Sequence, residues 1–186
     1  MYKLCKTEQS ANRQRQLEQG LLRLMKQRRF EDISVSDLCE YMQIPRKSFY
    51  RYFSSKEGAL YALLDHTMMD FYEEGFHKPG AGDQIGDLEQ YFIFWYAHKD
   101  LLEVLQRSSL SGLLVERATL LVQRERLMPD KLLLLPAGIQ SIAMSFAICG
   151  LLSMVIQWHQ QGYAISPAEM TKLAKSMLTK PLISLS

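Results

Sequence analysis

Cysteine is scarce in this 186-residue sequence, and the three present, Cys5, Cys39 and Cys149, stand far apart with no paired spacing. That pattern excludes a disulfide framework and a zinc site of the usual ligand spacing, and it implies a reducing compartment. Catalytic signatures are missing as well: there is no HExxH, CxxC, GxSxG or glycine-rich phosphate loop, so no nucleophile is placed and a non-enzyme without cofactor is expected. The four histidines, His66, His77, His98 and His159, are scattered. His66 and His77 would share a helix face but lie roughly 16 Å apart along its axis, too far to hold one metal ion. The first residues, MYKLCKTEQSANRQRQ, contain no continuous apolar segment of signal-peptide length, which points to the cytoplasm.

Charge is the next thing lacking. No Asp, Glu, Lys or Arg occurs between Lys131 and Glu169, and Ile139 to Trp158 is about long enough to cross a bilayer. Gln140, Ser141, Ser145, Ser153 and Gln157 recur through that stretch, and no Lys or Arg cluster follows it directly. The expectation is therefore a buried central helix and no membrane span.

What is present suits a globular chain, with 47% hydrophobic and 23% charged residues, close to the average of folded domains. The net charge of +2 is unevenly spread: residues 1–60 hold 12 Lys and Arg against 7 Asp and Glu, and the remainder 10 against 13. A basic N-terminal third suits contact with phosphates.

Periodicity gives helices throughout and no competing strand pattern. A first helix is expected over about Ser10 to Gln27, with Leu17, Leu21, Leu24 and Met25 on one stripe. Ser34 with Asp37 resembles a capping box opening a short second helix, about Val35 to Met42. Pro45, with no amide hydrogen and a fixed φ, suits the first turn of the next helix. Ser54-Ser55-Lys56-Glu57 can cap a fourth helix running to about Phe76, followed by a loop at His77 to Gly86. Helical patterns continue over Leu88–His98, Asp100–Gln106, Ser109–Leu127, Pro136–Gln161 and Ser166–Lys180. Ser166-Pro167-Ala168-Glu169 gives the last of these an N-cap, a proline at the first position and a glutamate at the third.

Short helices flanking a turn at Gln43–Pro45 form a helix-turn-helix, whose second helix enters the major groove by its N-terminal part. Counted at 100° per residue from Arg46, Phe49 and Phe53 fall to one side and Lys47, Tyr50 and Arg51 to another. Arg46 can pair with both acceptors of guanine, Lys47 with guanine or phosphate, and Ser48 is a permissive donor. Tyr50, Arg51 and Tyr52 extend this face, and Ser34, Ser36 and Lys56, at two helix starts, suit backbone phosphates.

The segment ISVSDLCEYMQIPRKSFYRYFSSKEGAL resembles the DNA-binding domain of the TetR family of bacterial regulators, over roughly residues 12 to 64. Ser34-Val35, Leu38-Cys39, Tyr50 to Phe53 and Ser55-Lys56-Glu57 stand where that family's motif elements lie. The family usually has glycine where this chain has Arg29 and Gln43, and a small residue in place of Lys47. A left-handed backbone at a non-glycine residue costs of order 1–2 kcal/mol.

The resemblance implies an all-α protein: an N-terminal helix-turn-helix domain, residues 1–65, joined by a long helix to a regulatory and dimerisation domain, residues 66–186. It implies a ligand-responsive repressor that binds a palindromic double-stranded operator as a homodimer through its last two helices. An unidentified small-molecule effector would be lined by Phe92, Trp95, Tyr96, Met144, Phe146, Cys149 and Trp158. The alternative is a helical ligand-binding or protein-interaction module without sequence-specific DNA binding, motivated by Arg29 and Gln43.

Overall fold

The computed structural model describes residues 2, 3, 5, 7–73, 84–125, 127 and 134–179. Among these residues there are nine α-helices, one 3-10 turn and no strand. The chain divides into two compact units, one of Met1–Met68 with Glu103–Arg117 and the other of Met69–Leu102 with Ala118–Ser186.

In the first unit, helix α1 (Glu8–Met25) is opened by Thr7, whose hydroxyl accepts from the Ser10 amide at 3.3 Å. It buries the Leu17, Leu21, Leu24 and Met25 stripe that its spacing foretells. Gly20 faces the Met42 side chain, whose flexible thioether would have to shift to admit a Cβ there. A 3-10 turn (Phe30–Asp32) leads to α2 (Val35–Tyr41), which starts on the expected capping box: the Asp37 amide donates to Ser34 Oγ at 3.1 Å and the Ser34 amide to Asp37 Oδ2 at 2.7 Å.

The turn after α2 explains how α3 is aimed. The Ile44 amide donates to the Cys39 carbonyl at 2.9 Å and the Gln43 amide to that of Glu40 at 3.0 Å, the double closure that requires a left-handed residue between them. That residue is Gln43, with φ 52°, the site where glycine is usual. Arg29, the other non-glycine departure, has φ −68° and ψ 149° and carries no such strain. Helix α3 (Arg46–Tyr50) follows with Pro45 at its N-cap, and α4 (Lys56–Phe71) begins where the Gly58 amide reaches Ser55 Oγ at 3.2 Å.

Sequence reading places the division near residue 65; the structure sets it after Met68 and returns Glu103–Arg117 to the N-terminal unit. The reason lies in long-range polar contacts. Arg107, ending α6 (Lys99–Arg107), donates to the carbonyls of Met25, Lys26 and Arg28 at the C-terminal end of α1, and Ser108 Oγ accepts the buried Phe30 amide at 3.0 Å. From α7 (Ser111–Glu125), Arg117 makes a two-pronged pair with the buried Asp65 at 2.9 and 2.6 Å. Tyr2 donates its hydroxyl to the same carboxylate at 2.7 Å, and an isolated bridge joins Tyr2 to Phe53.

The second unit contains α5 (Gln84–Ala97), α8 (Ala137–Gln160) and α9 (Pro167–Thr179), with α9 packed on α5. Its core is aromatic: Phe92, Trp95 and Trp158 are fully buried, and the Trp158 ring meets Phe92 edge-on at 5.9 Å. The Trp158 indole donates to the Ile165 carbonyl at 2.8 Å, and α9 starts on the Ser166–Glu169 box as expected.

The expectation of a buried α8 is corrected. Leu152, Val155 and Trp158 are buried, but Ile139, Ile142 and Phe146 are 51%, 70% and 71% exposed. A helix apolar all round can cover only one side within a single small unit. By length and composition Gly138–Gln160 could cross a membrane, with a mean hydropathy of 2.0. Of the expected loop His77 to Gly86, residues 77–83 lie outside the described residues and Gln84 to Gly86 belong to α5.

Candidate nucleic-acid interface

Helix α3 is held by its apolar side. Phe49 and Phe53 are fully buried, with ring centroids 5.3 Å apart, and Tyr52 is 8% exposed. This leaves Arg46, Lys47, Tyr50 and Arg51 exposed and Ser48 half-buried. Five of the nine expected DNA-contacting residues therefore come together on one short helix and its C-cap. Arg46 donates to the Tyr50 hydroxyl at 3.3 Å, and its guanidinium carbon lies 5.9 Å from the Tyr50 ring centre.

Ser34 and Ser36 are exposed at the start of α2. Ser34 is already engaged with Asp37, both through the cap and through a short contact between its hydroxyl and the carboxylate. The Ser34 hydroxyl, its backbone amide and Arg28 at 2.9 Å together hold the Asp37 carboxyl well below the usual carboxylate range.

Two of the expected DNA-contacting residues are engaged within the domain. Tyr52 is buried in the turn after α3, its ring turned inward beside Phe53 with the two centroids 6.3 Å apart. Lys56 is half-buried, and its ammonium donates to the carbonyls of Phe30 at 2.8 Å, Glu31 at 3.1 Å and Ile33 at 2.7 Å. It also lies 4.6 Å from the Phe30 ring centre. An ammonium has three N–H donors, and here three carbonyls take them up. Lys56 thus ties the start of α4 to the segment leading into α2.

Sequence reading missed a surface groove of about 850 Å³ along the N-terminal part of α1, lined by Ser10, Asn12, Arg13 and Gln16 together with Arg51 and Tyr52. The nearest sequence signal was the run of Arg13 and Arg15 lying off the apolar stripe of α1. The Cys39 thiol is buried, which pushes its pKa up and keeps it an unreactive core group.

The effector-lining expectation also divides. Phe92, Trp95 and Trp158 are buried, Met144 is half-buried, and Tyr96 is 43% exposed while stacking edgewise on Tyr163 at 5.0 Å. Phe146 and Cys149 are exposed on α8, on the same helical stripe as Ile139 and Ile142.

Residues 19–62 match the family of bacterial regulatory proteins, tetR family. No curated protein matches by sequence. Among solved structures, the dihydroxyacetone kinase operon activator DhaS is similar at 15% identity and a TM-score of 0.58, covering 89% of this chain and 93% of its own. A tetR-family transcriptional regulator from Streptomyces coelicolor is similar at 24% identity and 0.57, covering 86% and 78%. The fatty acid degradation regulator FadR from Bacillus halodurans is similar at 16% and 0.59, covering 96% and 98%. At these identities the likeness is one of fold.

Proposed function

We propose that this chain, a TetR-family regulatory protein by its N-terminal domain, is a ligand-responsive repressor that holds a palindromic operator as a homodimer in the cytoplasm. The observation that carries the reading is the division of α3 and the turn that follows it into a buried aromatic side, Phe49, Tyr52 and Phe53, and an exposed side bearing Arg46, Lys47, Tyr50 and Arg51. A helix fixed so firmly by one face presents its cations at a set angle, as major-groove reading requires. Ser34 and Ser36 are assigned to the phosphate backbone, Tyr52 and Lys56 to holding the reading elements in place.

A second copy is assigned to α8 and α9. Ile139, Ile142 and Phe146 on α8 and Leu173, Met177 and Leu178 on α9 are exposed, which is a large uncharged surface for a soluble monomer. An isologous pairing buries the same patch twice and supplies two reading heads. With half-sites about 34–36 Å apart, an effector-driven change in their separation worth roughly 1–3 kcal/mol lowers operator affinity roughly 5- to 150-fold.

Selection of bound sites from random duplexes tests the proposal. An enriched palindrome, lost on Arg46→Ala with the helical circular dichroism intact, is expected. No enrichment at low salt would overturn sequence-specific binding and leave a helical ligand-binding or interaction module. Sedimentation without detergent should give a dimer, and a chain that pellets with membranes would overturn the cytoplasmic assignment.

A further inference from the structure

Among the described residues of the second unit, two buried hydrogen-bond donors have no hydrogen-bond partner: the Tyr91 hydroxyl and the Trp95 indole N–H. They stand on successive turns of α5, the spacing that puts side chains on one face, with ring centres 6.3 Å apart. Trp95 is 2% exposed. Around them the surface is aromatic: Phe71 lies 5.5 Å from Tyr91 and 5.1 Å from Phe94, and Phe94 lies 5.6 Å from Trp95.

A buried donor left unsatisfied forfeits its hydration with nothing in return, so two on adjacent turns of one helix call for a common explanation. We infer that Tyr91 and Trp95 form a two-donor fork for a single acceptor oxygen on an otherwise apolar, ring-bearing effector. The inference rests on the ligand-responsive reading above and names the class of ligand that reading leaves open. The indole can only donate. Burial pushes the Tyr91 phenol above its usual range, against a smaller lowering by the Trp95 side chain, so the phenol keeps its proton and donates too. A carbonyl or carboxylate oxygen satisfies both donors at once, and the rings of Phe71 and Phe94 pack against the ligand's apolar body.

The test uses three probes of one size on the full chain: 2-acetonaphthone, 2-naphthoate and 2-ethylnaphthalene, titrated by tryptophan fluorescence and thermal shift. Saturable binding of the ketone or the carboxylate is expected, with the hydrocarbon about tenfold weaker or worse. Which of the two oxygens binds tells a neutral acceptor from an anionic one. Tyr91→Phe and Trp95→Phe should each weaken the oxygenated probe about tenfold and leave the hydrocarbon unchanged. Without any probe, Tyr91→Phe should melt at the wild-type temperature or above it. Equal affinity for all three probes, no binding of either oxygenated probe, or a probe-free Tyr91→Phe melting several degrees lower would each overturn the assignment. Operator selection on the wild-type chain without probe tests the regulator reading separately.

Discussion

Arg46 and Tyr50 form a pair on the exposed side of α3, a guanidinium donating to a phenol one turn away at 3.3 Å. The contact restrains the arginine, so its fork is partly oriented before any base is met. Arg46→Ala should weaken operator binding by about 1–3 kcal/mol and relax preference at one base pair. Tyr50→Phe, which removes only the hydroxyl, should cost less. Fluorescence anisotropy against the selected operator and its single-base variants measures both, and uniform loss across all variants would recast Arg46 as a phosphate contact.

Lys47 is exposed on the same helix. If it meets phosphate, Lys47→Ala should weaken binding to every sequence alike and lower the slope of log affinity against log salt by about one. A changed base preference at constant slope would place it on a base edge.

Lys56→Met keeps the length of the side chain and removes the three donors that cap Phe30, Glu31 and Ile33. A loss of about 1–3 kcal/mol is expected in urea unfolding, from carbonyls left without their charged partner. An unchanged midpoint together with weaker DNA binding would return Lys56 to the phosphate-contacting set.

Gln43→Gly should stabilise the domain by about 1 kcal/mol, because the left-handed backbone at φ 52° loses its steric penalty. Arg29→Gly should not, since Arg29 is extended and glycine there only adds freedom to the unfolded chain. Thermal melts of the two variants give opposite signs if the turn is as described.

The capping box gives a pH signature. The Asp37 pKa is lowered in the folded chain from 3.8, first by the Ser34 hydroxyl. A carboxylate depressed by folding stabilises above its unfolded pKa, and the contribution fades as pH falls below that value. Asp37→Asn should therefore lose stability at neutral pH while flattening the acid limb below about pH 4. An acid limb unchanged by the substitution would assign it to other carboxylates.

Much of this was legible in the sequence because it is local. The Ser34–Asp37 and Ser166–Glu169 boxes, the apolar stripe of α1 and the inward turn of Phe49 and Phe53 each follow from spacing of a few residues. What stayed hidden depends on partners far along the chain. Lys56 reads as a free cation until the carbonyls of Phe30, Glu31 and Ile33 are placed around it. The segment Glu103–Arg117 reads as part of the second domain until Arg107 and Arg117 reach back to α1 and Asp65. Phe146 and Cys149 suit a cavity lining by residue type, and only the direction of the α8 stripe shows them exposed.

That stripe makes the abundance of the protein a variable of its own. If two copies close over Ile139, Ile142 and Phe146 as proposed, the operator-binding species grows with the square of chain concentration wherever monomer predominates. Halving the supply then removes about three-quarters of it by mass action. A cell could thus relieve repression by dilution at division or by proteolysis of the uncovered chain, with no effector at all.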